Sequence, residues 1–242
     1  MEYGIQLYSL RDITKEGRME DALAAVAEMG YTHVEFAGFC GIPAEQIVEW
    51  LNKYGLKISG THTSYKELRE DVIDETVAYH KAIGNKNLII PGADTTTAEK
   101  IDELIALITA AKPKLDAAGI TLGFHNHSVE FLPNADGQIP FDELRTRTDI
   151  DFEIDTYWAW NAGKDPVALM EEMKDRVHVI HLKDGLEGGI GRSLGSGNAP
   201  VKEVLAAARR LGIFPVVESE GLDPTGAEEV GRCMDYLKEI EG

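Results

Sequence analysis

Five times along the chain a helical stretch ends at a glycine and a short apolar strand follows almost at once: AEMGYTHVEF, NKYGLKISG, KAIGNKNLII, DAAGITLGF and RRLGIFPVV. Gly30, Gly55, Gly84, Gly119 and Gly212 stand where the residue just past a helix takes the left-handed conformation that costs glycine little. Strand patterns fall at roughly 3–9, 33–37, 57–62, 86–91, 120–127, 150–155, 177–183 and 214–219. Amphipathic helical patterns such as AEKIDELIALITAAKPKLDAA lie between most of them. Strict strand–helix alternation demands a parallel sheet, and eight units predict an α/β fold closed into a (β/α)8 TIM barrel. No linker, charge run or low-complexity segment divides it, so residues 1–242 are expected to form one barrel domain. A doubly wound open sheet would usually carry a glycine cluster after its first strand, where this chain has YSLRD. Pro43, Pro166 and Pro200 stand near helix starts, where a missing N–H is harmless; Pro113 lies inside a helix and predicts a kink.

The charge balance narrows the partners. Lys and Arg number 24 against 42 Asp and Glu, a formal charge of −18. So acidic a surface repels phosphate backbones, and no nucleic-acid partner is expected. No apolar run approaches membrane-spanning length, and the start, MEYGIQLYSL, lacks a basic leader, so neither membrane span nor signal peptide is expected. Cys40 and Cys233 give no disulfide framework and suit a reducing cytoplasm. A homo-oligomer is compatible with the sequence, which does not specify one.

In such barrels the chemistry gathers at the C-terminal ends of the strands. Here those ends carry Gln6 on strand one, Glu35 on strand two and His62 on strand three. Strand five ends in GFHNHSVEF, with His125, His127 and Glu130; strand six ends with Asp155; strand seven brings His181, Lys183 and Asp184; strand eight brings Glu218 and Glu220. Strand alternation puts His125 with His127, His181 with Lys183, and Glu218 with Glu220 on shared faces. One Asp, one or two Glu and a His around one point make a hard mixed O/N ligand set, suited to Mn, Mg, Co or Zn with open positions for substrate. Plainer readings stand beside these. His62 could be a hydrogen-bonded structural residue, Asp155 a loop cap, Lys183 a partner of Asp184, and Trp158 and Trp160 core residues rather than an apolar wall for a sugar. His33, His80 and His178 read as structural. The segment GLEGGIGRSLGSGN reads as a flexible loop where barrels often bind phosphate, with Arg192 its only cation.

Six motifs occur in order: GIQLYSLR, VEFAGF, GFHNHSVEF, DTYWAWNAG, IHLKDG and VVESEG. Together they make the chain resemble the sugar phosphate isomerase/epimerase superfamily, the xylose-isomerase-like TIM barrels. The resemblance covers essentially the whole chain. It implies a divalent metal, Mn first among the candidates, held by residues of strands five to eight; Asp155, His181 and Glu218 match directly. Many relatives have Glu where this chain has His125. The HNH…E variant resembles the branch of inosose dehydratases and 3-keto-sugar epimerases and lyases, which implies Glu130 as the fourth ligand, with His125 as the alternative. His125, His127 and Glu218 are then the catalytic candidates, and Gln6, His62, Trp158, Lys183 and Glu220 the substrate contacts. The implied reaction is sugar or polyol isomerisation or epimerisation, by proton abstraction next to a carbonyl through a metal-stabilised enediolate. A lyase or dehydratase on a keto-sugar, 3-keto-glycoside or inosose is the alternative, since His in place of the strand-five Glu weakens a two-glutamate mechanism. An endonuclease of the same superfamily would need more ligands and a basic surface.

Overall fold

The structure, a computed structural model, describes residues 2–241. Eight parallel strands form the barrel: β1 (Gly4–Gln6), β2 (His33–Ala37), β3 (Lys57–His62), β4 (Asn87–Ile90), β5 (Thr121–His125), β6 (Asp151–Asp155), β7 (Val179–Leu182) and β10 (Phe214–Val217). A separate antiparallel hairpin, β8 (Asp184–Leu186) and β9 (Ile190–Arg192), follows β7. The barrel closes where β1 pairs with β10, with Gly4 opposite Val216 and Ile5 opposite Val217. The open-sheet alternative is thereby excluded. All five punctuating glycines have positive φ, from 66° at Gly55 to 104° at Gly30, so each helix stops where only glycine sits without strain.

Alternation along each strand divides the interior in two. Ile5, Val34, Phe124, Ile154, Ile180, Leu182 and Val217 are buried in the layer between strands and helices. Each such fully buried aliphatic side chain is worth about 1.5–3 kcal/mol. The residues between them, Gln6, Glu35, His125, Glu153, Asp155 and His181, are also buried, and they are polar. They occupy the barrel's inside, so the fold itself concentrates ionisable groups there.

Five strands end earlier than the sequence suggests, β4 by a single residue, at Ile90. β1 gives way after Gln6 to a 3-10 turn, Leu7–Leu10, and β5 stops at His125. β7 and β10 stop at Leu182 and Val217. His127, Lys183, Glu218 and Glu220 are therefore rim residues placed by turns, and strand alternation does not extend to them. The segment read as a flexible loop contains the β8–β9 hairpin instead. The helix Ala98–Ala117 continues through Pro113. Where the barrel closes, the chain's early turn is stitched to its late one: Ser9 Oγ accepts the Ser219 N–H at 3.0 Å, and Asp12 Oδ2 accepts the Gly226 N–H at 3.1 Å.

Candidate active site

Four adjacent elements place one side chain each at a common point. His125 ends β5, Asp155 ends β6, His181 lies on β7 opposite Asp155, and Glu218 follows β10. One ligand atom from each of the four lies within 4.8 Å of the others, and all four residues are buried. His181 Nδ1 is 3.3 Å from Glu218 Oε2 and 4.0 Å from Asp155 Oδ2, and His125 Nε2 is 4.0 Å from the same Asp155 oxygen. Asp155 divides its two oxygens. Oδ1 caps the following helix by accepting the Trp158 N–H at 2.8 Å, while Oδ2 is buried with no hydrogen-bond partner among the described residues, as is His181 Nδ1. An unpaired buried acceptor costs about 1–3 kcal/mol, so two of them aimed at one point beside carboxylates fit a divalent cation. The loop-cap and ligand readings of Asp155 are thus both accommodated, one oxygen each.

Beneath this group lies a second one. Glu153, two residues before Asp155 on β6 and so on the same face, joins Glu35 of β2 and His62 of β3. His62 Nε2 is 2.7 Å from Glu153 Oε2, and His181 Nε2 is 2.6 Å from Glu35 Oε2 and 3.2 Å from Glu153 Oε2. His125 Nδ1 is 3.2 Å from Glu153 Oε2. His62, His125, Glu153 and His181 also meet the geometric condition for holding an ion. The two groups, however, use opposite nitrogens of His181. Filling both would require a doubly deprotonated bridging ring, so the lower carboxylates are better described as acceptors for the far N–H of the imidazoles above. Gln6, expected to touch substrate, is fully buried here and donates from Nε2 to Glu35 Oε2 at 2.9 Å.

Charge separates the two layers. Burial pushes the Glu153 carboxyl up to about 7, helped by the Glu35 charge. Burial pushes Asp155 up to about 6. Burial works against Glu218 in the same way, but Lys183 and His181 hold its carboxyl well below the usual range. Lys183 Nζ lies 2.8 Å from Glu220, 3.0 Å from Glu218 and 3.5 Å from Asp155, and no bond to Asp184 forms. Burial lowers His125 strongly and His127 less, which keeps both rings neutral near pH 7. His127 sits at the rim, its ring centroid 5.0 Å from that of His125 and 5.9 Å from Trp158. Trp158 also lies under Lys183 Nζ, 5.0 Å from its ring centre. Glu130, expected as the fourth ligand, is not brought into either group. A short 3-10 turn, Val129–Phe131, carries it, and its Oε2 accepts the His127 N–H at 2.8 Å.

The family model described as a xylose isomerase-like TIM barrel matches residues 23–240. The chain belongs to that family. Among solved structures, this xylose isomerase-like barrel is similar to a sugar phosphate isomerase/epimerase from Parabacteroides distasonis ATCC 8503, at 28% identity and TM-score 0.85, over 98% of this chain and 97% of that one. It shares its fold with the probable 3-DHS dehydratase AsbF of Bacillus anthracis, at 13% identity and TM-score 0.75 over 98% and 99% of the two chains. An L-ribulose 3-epimerase matches at 12% and 0.74, over 98% and 93%. No curated protein matches its sequence.

Two residues of this family member have surroundings that a first reading of the sequence does not give. Glu153 is one, although the alternation that singles out Asp155 also points to it. Asp184 is the other. Its buried carboxylate accepts four backbone N–H groups: Gly185 at 2.8 Å and Ala199 at 3.1 Å on Oδ1, Gly195 at 2.9 Å and Gly197 at 3.0 Å on Oδ2. A Cβ at Gly197 would collide with that carboxylate, which explains glycine there. This carboxylate ties the hairpin and the turn after it to the rim. His80 is structural as expected, buried among Thr61, Thr63 and Asn85 and lowered to about 4 by burial. No helix among the described residues is long and apolar enough to cross a membrane.

Proposed function

We propose that the protein is a divalent-metal-dependent sugar isomerase or epimerase. The convergence of His125, Asp155, His181 and Glu218 within 4.8 Å carries this reading. His125 is our fourth ligand by position; Glu130 would have to release the His127 amide to serve instead. Mn is the ion of choice for so mixed an O/N set, with Mg, Co and Zn compatible. When bound, the ion supplies Lewis acidity to a carbonyl or hydroxyl oxygen of the substrate. His127, neutral and at the rim, accepts the proton from the adjacent carbon and returns it. Returning it to the neighbouring carbon isomerises; returning it to the opposite face epimerises. Lys183 holds Glu218 ionised, lies 2.8 Å from Glu220 and keeps one positive charge facing the developing negative charge. Trp158 offers an apolar wall beside it. The two cysteines are free thiols, which suits the cytoplasm.

One observation favours a lyase as the second reading. The proton acceptors here are imidazoles, and the carboxylate of Glu218 is locked to Lys183 rather than free to act as a second base. The deciding experiment incubates Mn-loaded protein with free ketoses and inososes in deuterated water and follows the substrates by NMR. Exchange at the carbon next to the carbonyl without elimination supports the isomerase/epimerase. Loss of water or an aglycone supports the lyase. No exchange with any of them sinks the sugar chemistry. Metal content of His125→Ala and Glu130→Gln identifies the fourth ligand: only the variant that lacks it loses the ion.

A further inference from the structure

The parallel pairing of β5 with β6 ends at His125 and Glu153, two residues short of Asp155. The side chain of Asn126 takes over from it. Asn126 Oδ1 accepts the Asp155 N–H at 3.1 Å, and Nδ2 donates to the Asp155 carbonyl at 3.3 Å. A carboxamide carries the donor and the acceptor of a peptide group, so one side chain continues the ladder after the backbone of β5 has stopped. Both partners are buried, Asn126 at 1% exposure and Asp155 at 0%, so the bonds form where water does not compete for them.

Asp155 is thereby held at three points: its N–H and its carbonyl by Asn126, and its Oδ1 by the Trp158 N–H. A carboxylate is planar. Once its backbone and one oxygen are placed, the direction of the other oxygen is set. That other oxygen, Oδ2, is the one directed at His125, His181 and Lys183. His125 immediately precedes Asn126, so the same clasp ties together the ends of two neighbouring strands that each bring a side chain to the centre. The device also occurs away from the centre. At the start of β4, Asn85 Oδ1 accepts the Asn87 N–H at 3.2 Å and Nδ2 donates to the Asn87 carbonyl at 2.9 Å. There it shapes the entry to a strand, at the end of the barrel opposite the converging side chains.

We infer, resting on the metal centre proposed above, that Asn126 is a positioning residue: it acts through the backbone of Asp155 and aims Oδ2 at the converging ligands. Its own polar groups are spent on Asp155, so it orients a ligand without being one. The carboxylates of the lower layer meet the imidazoles side chain to side chain. Asn126 meets the one aspartate through the main chain, and it fixes how far the end of β6 stands from the end of β5 as well as where one oxygen points.

The test compares the full-length parent with Asn126→Leu, which keeps the side chain's size and removes both bonds, and with Asn85→Ala, which removes the same device at the other end of the barrel. Mn affinity is read by titration calorimetry well below each protein's melting temperature, and the visible absorption of the Co-loaded proteins reports the geometry of the ligands. Both substitutions should lower the melting temperature. Asn126→Leu should also weaken Mn affinity about 10–100-fold, the range for partners that orient metal ligands, and change the Co spectrum. Asn85→Ala should keep the parent's affinity and spectrum. Parental affinity and spectrum in Asn126→Leu overturn the positioning role and leave the metal centre standing. So does an equal loss of affinity in Asn85→Ala, which would trace to the rigidity of the fold at large. A parent that binds neither Mn nor Co refutes the metal centre, and the positioning role with it. If Asn126→Leu does not fold, Asn126→Ser, too short to reach Asp155 at both points, is read against the same outcomes.

Discussion

The two layers of ionisable groups inside the barrel use nearly the same residue types and behave differently. The upper layer, His125, Asp155, His181 and Glu218, lies beside Lys183 and under the rim. The lower layer, Glu35, Glu153 and His62, has imidazoles as its only cations. Glu153 and Glu218 are both buried carboxylates, yet one is pushed up to about 7 and the other well down. The difference is one ammonium group 3.0 Å from Glu218 and none at such distance from Glu153. A single lysine thus keeps Glu218 of the upper layer anionic, while in the lower layer Glu153 is pushed up to about 7 and Glu35 beside it is held below the usual range by His62 and His181, against burial. The upper layer can ligate a cation, and the lower one can orient the ligands.

Four experiments can break or sharpen that contrast. The largest effect belongs to the upper layer: Asp155→Ala and His181→Ala should each abolish divalent-ion binding, checked by elemental analysis of the purified variants. Unchanged metal in both would end the ligand assignment. His127→Ala comes next. It should keep the ion and lose turnover by about 100-fold or more, the scale of a general acid–base group; near-parental rates would move the proton transfer to Glu220 or Lys183. The lower layer should matter less. Glu35→Ala removes the acceptor of the His181 Nε2–H and should weaken Mn affinity about 10–100-fold by titration calorimetry, with Glu35→Gln, which keeps an acceptor oxygen, falling between. Affinity equal to the parent's in both variants would mean that the lower layer does not orient the upper.

The smallest effect concerns pH. Glu153 has its folded pKa raised from 4.5 to about 7, and His62 is also raised, burial opposing it but Glu35 and Glu153 prevailing. A group whose folded pKa lies above its unfolded value stabilises below the unfolded pKa and loses that contribution as pH rises through the folded one. Metal-free protein should therefore lose stability from pH about 5 to about 8. Glu153→Gln, which mimics the protonated acid, should flatten that slope in chemical denaturation series. An unchanged slope would place the proton elsewhere.

Sequence alone carried the barrel far. The glycine that ends five of the helices is a local signal, because φ at Gly30 or Gly212 depends only on the turn it makes, and eight repeats of one strand–helix unit have one economical closure. The four converging side chains were legible for the same reason, Asp155, His181 and Glu218 as candidate ligands and His125 as the alternative to Glu130: all are near strand ends, and the fold fixes where strand ends point. What escaped was non-local. Asp184 looked like a partner for its neighbour Lys183, yet its oxygens are claimed by amides 11, 13 and 15 residues later in the chain. Glycine spacing read as flexibility because the carboxylate that makes glycine necessary is across the turn. Strand ends were overestimated by one to three residues at β1, β4, β5, β7 and β10, since nothing local marks where the rim turns begin.

The stitching of Ser9 to Ser219 and of Asp12 to Gly226 has a consequence for how the molecule comes into being. These contacts span 210 and 214 residues, and Glu218 sits beside one of them. Loop closure over such separations is entropically slow, and folding rates fall as contacts become less local. The segment bearing Glu218 emerges from the ribosome last among the four converging side chains. A nascent chain therefore has His125, Asp155 and His181 before the barrel can shut, and ion capture by all four must wait for the final strand to dock against the first. Acquisition of the ion and closure of the barrel would then be a single late event, with assembly of the centre reporting that the fold is finished.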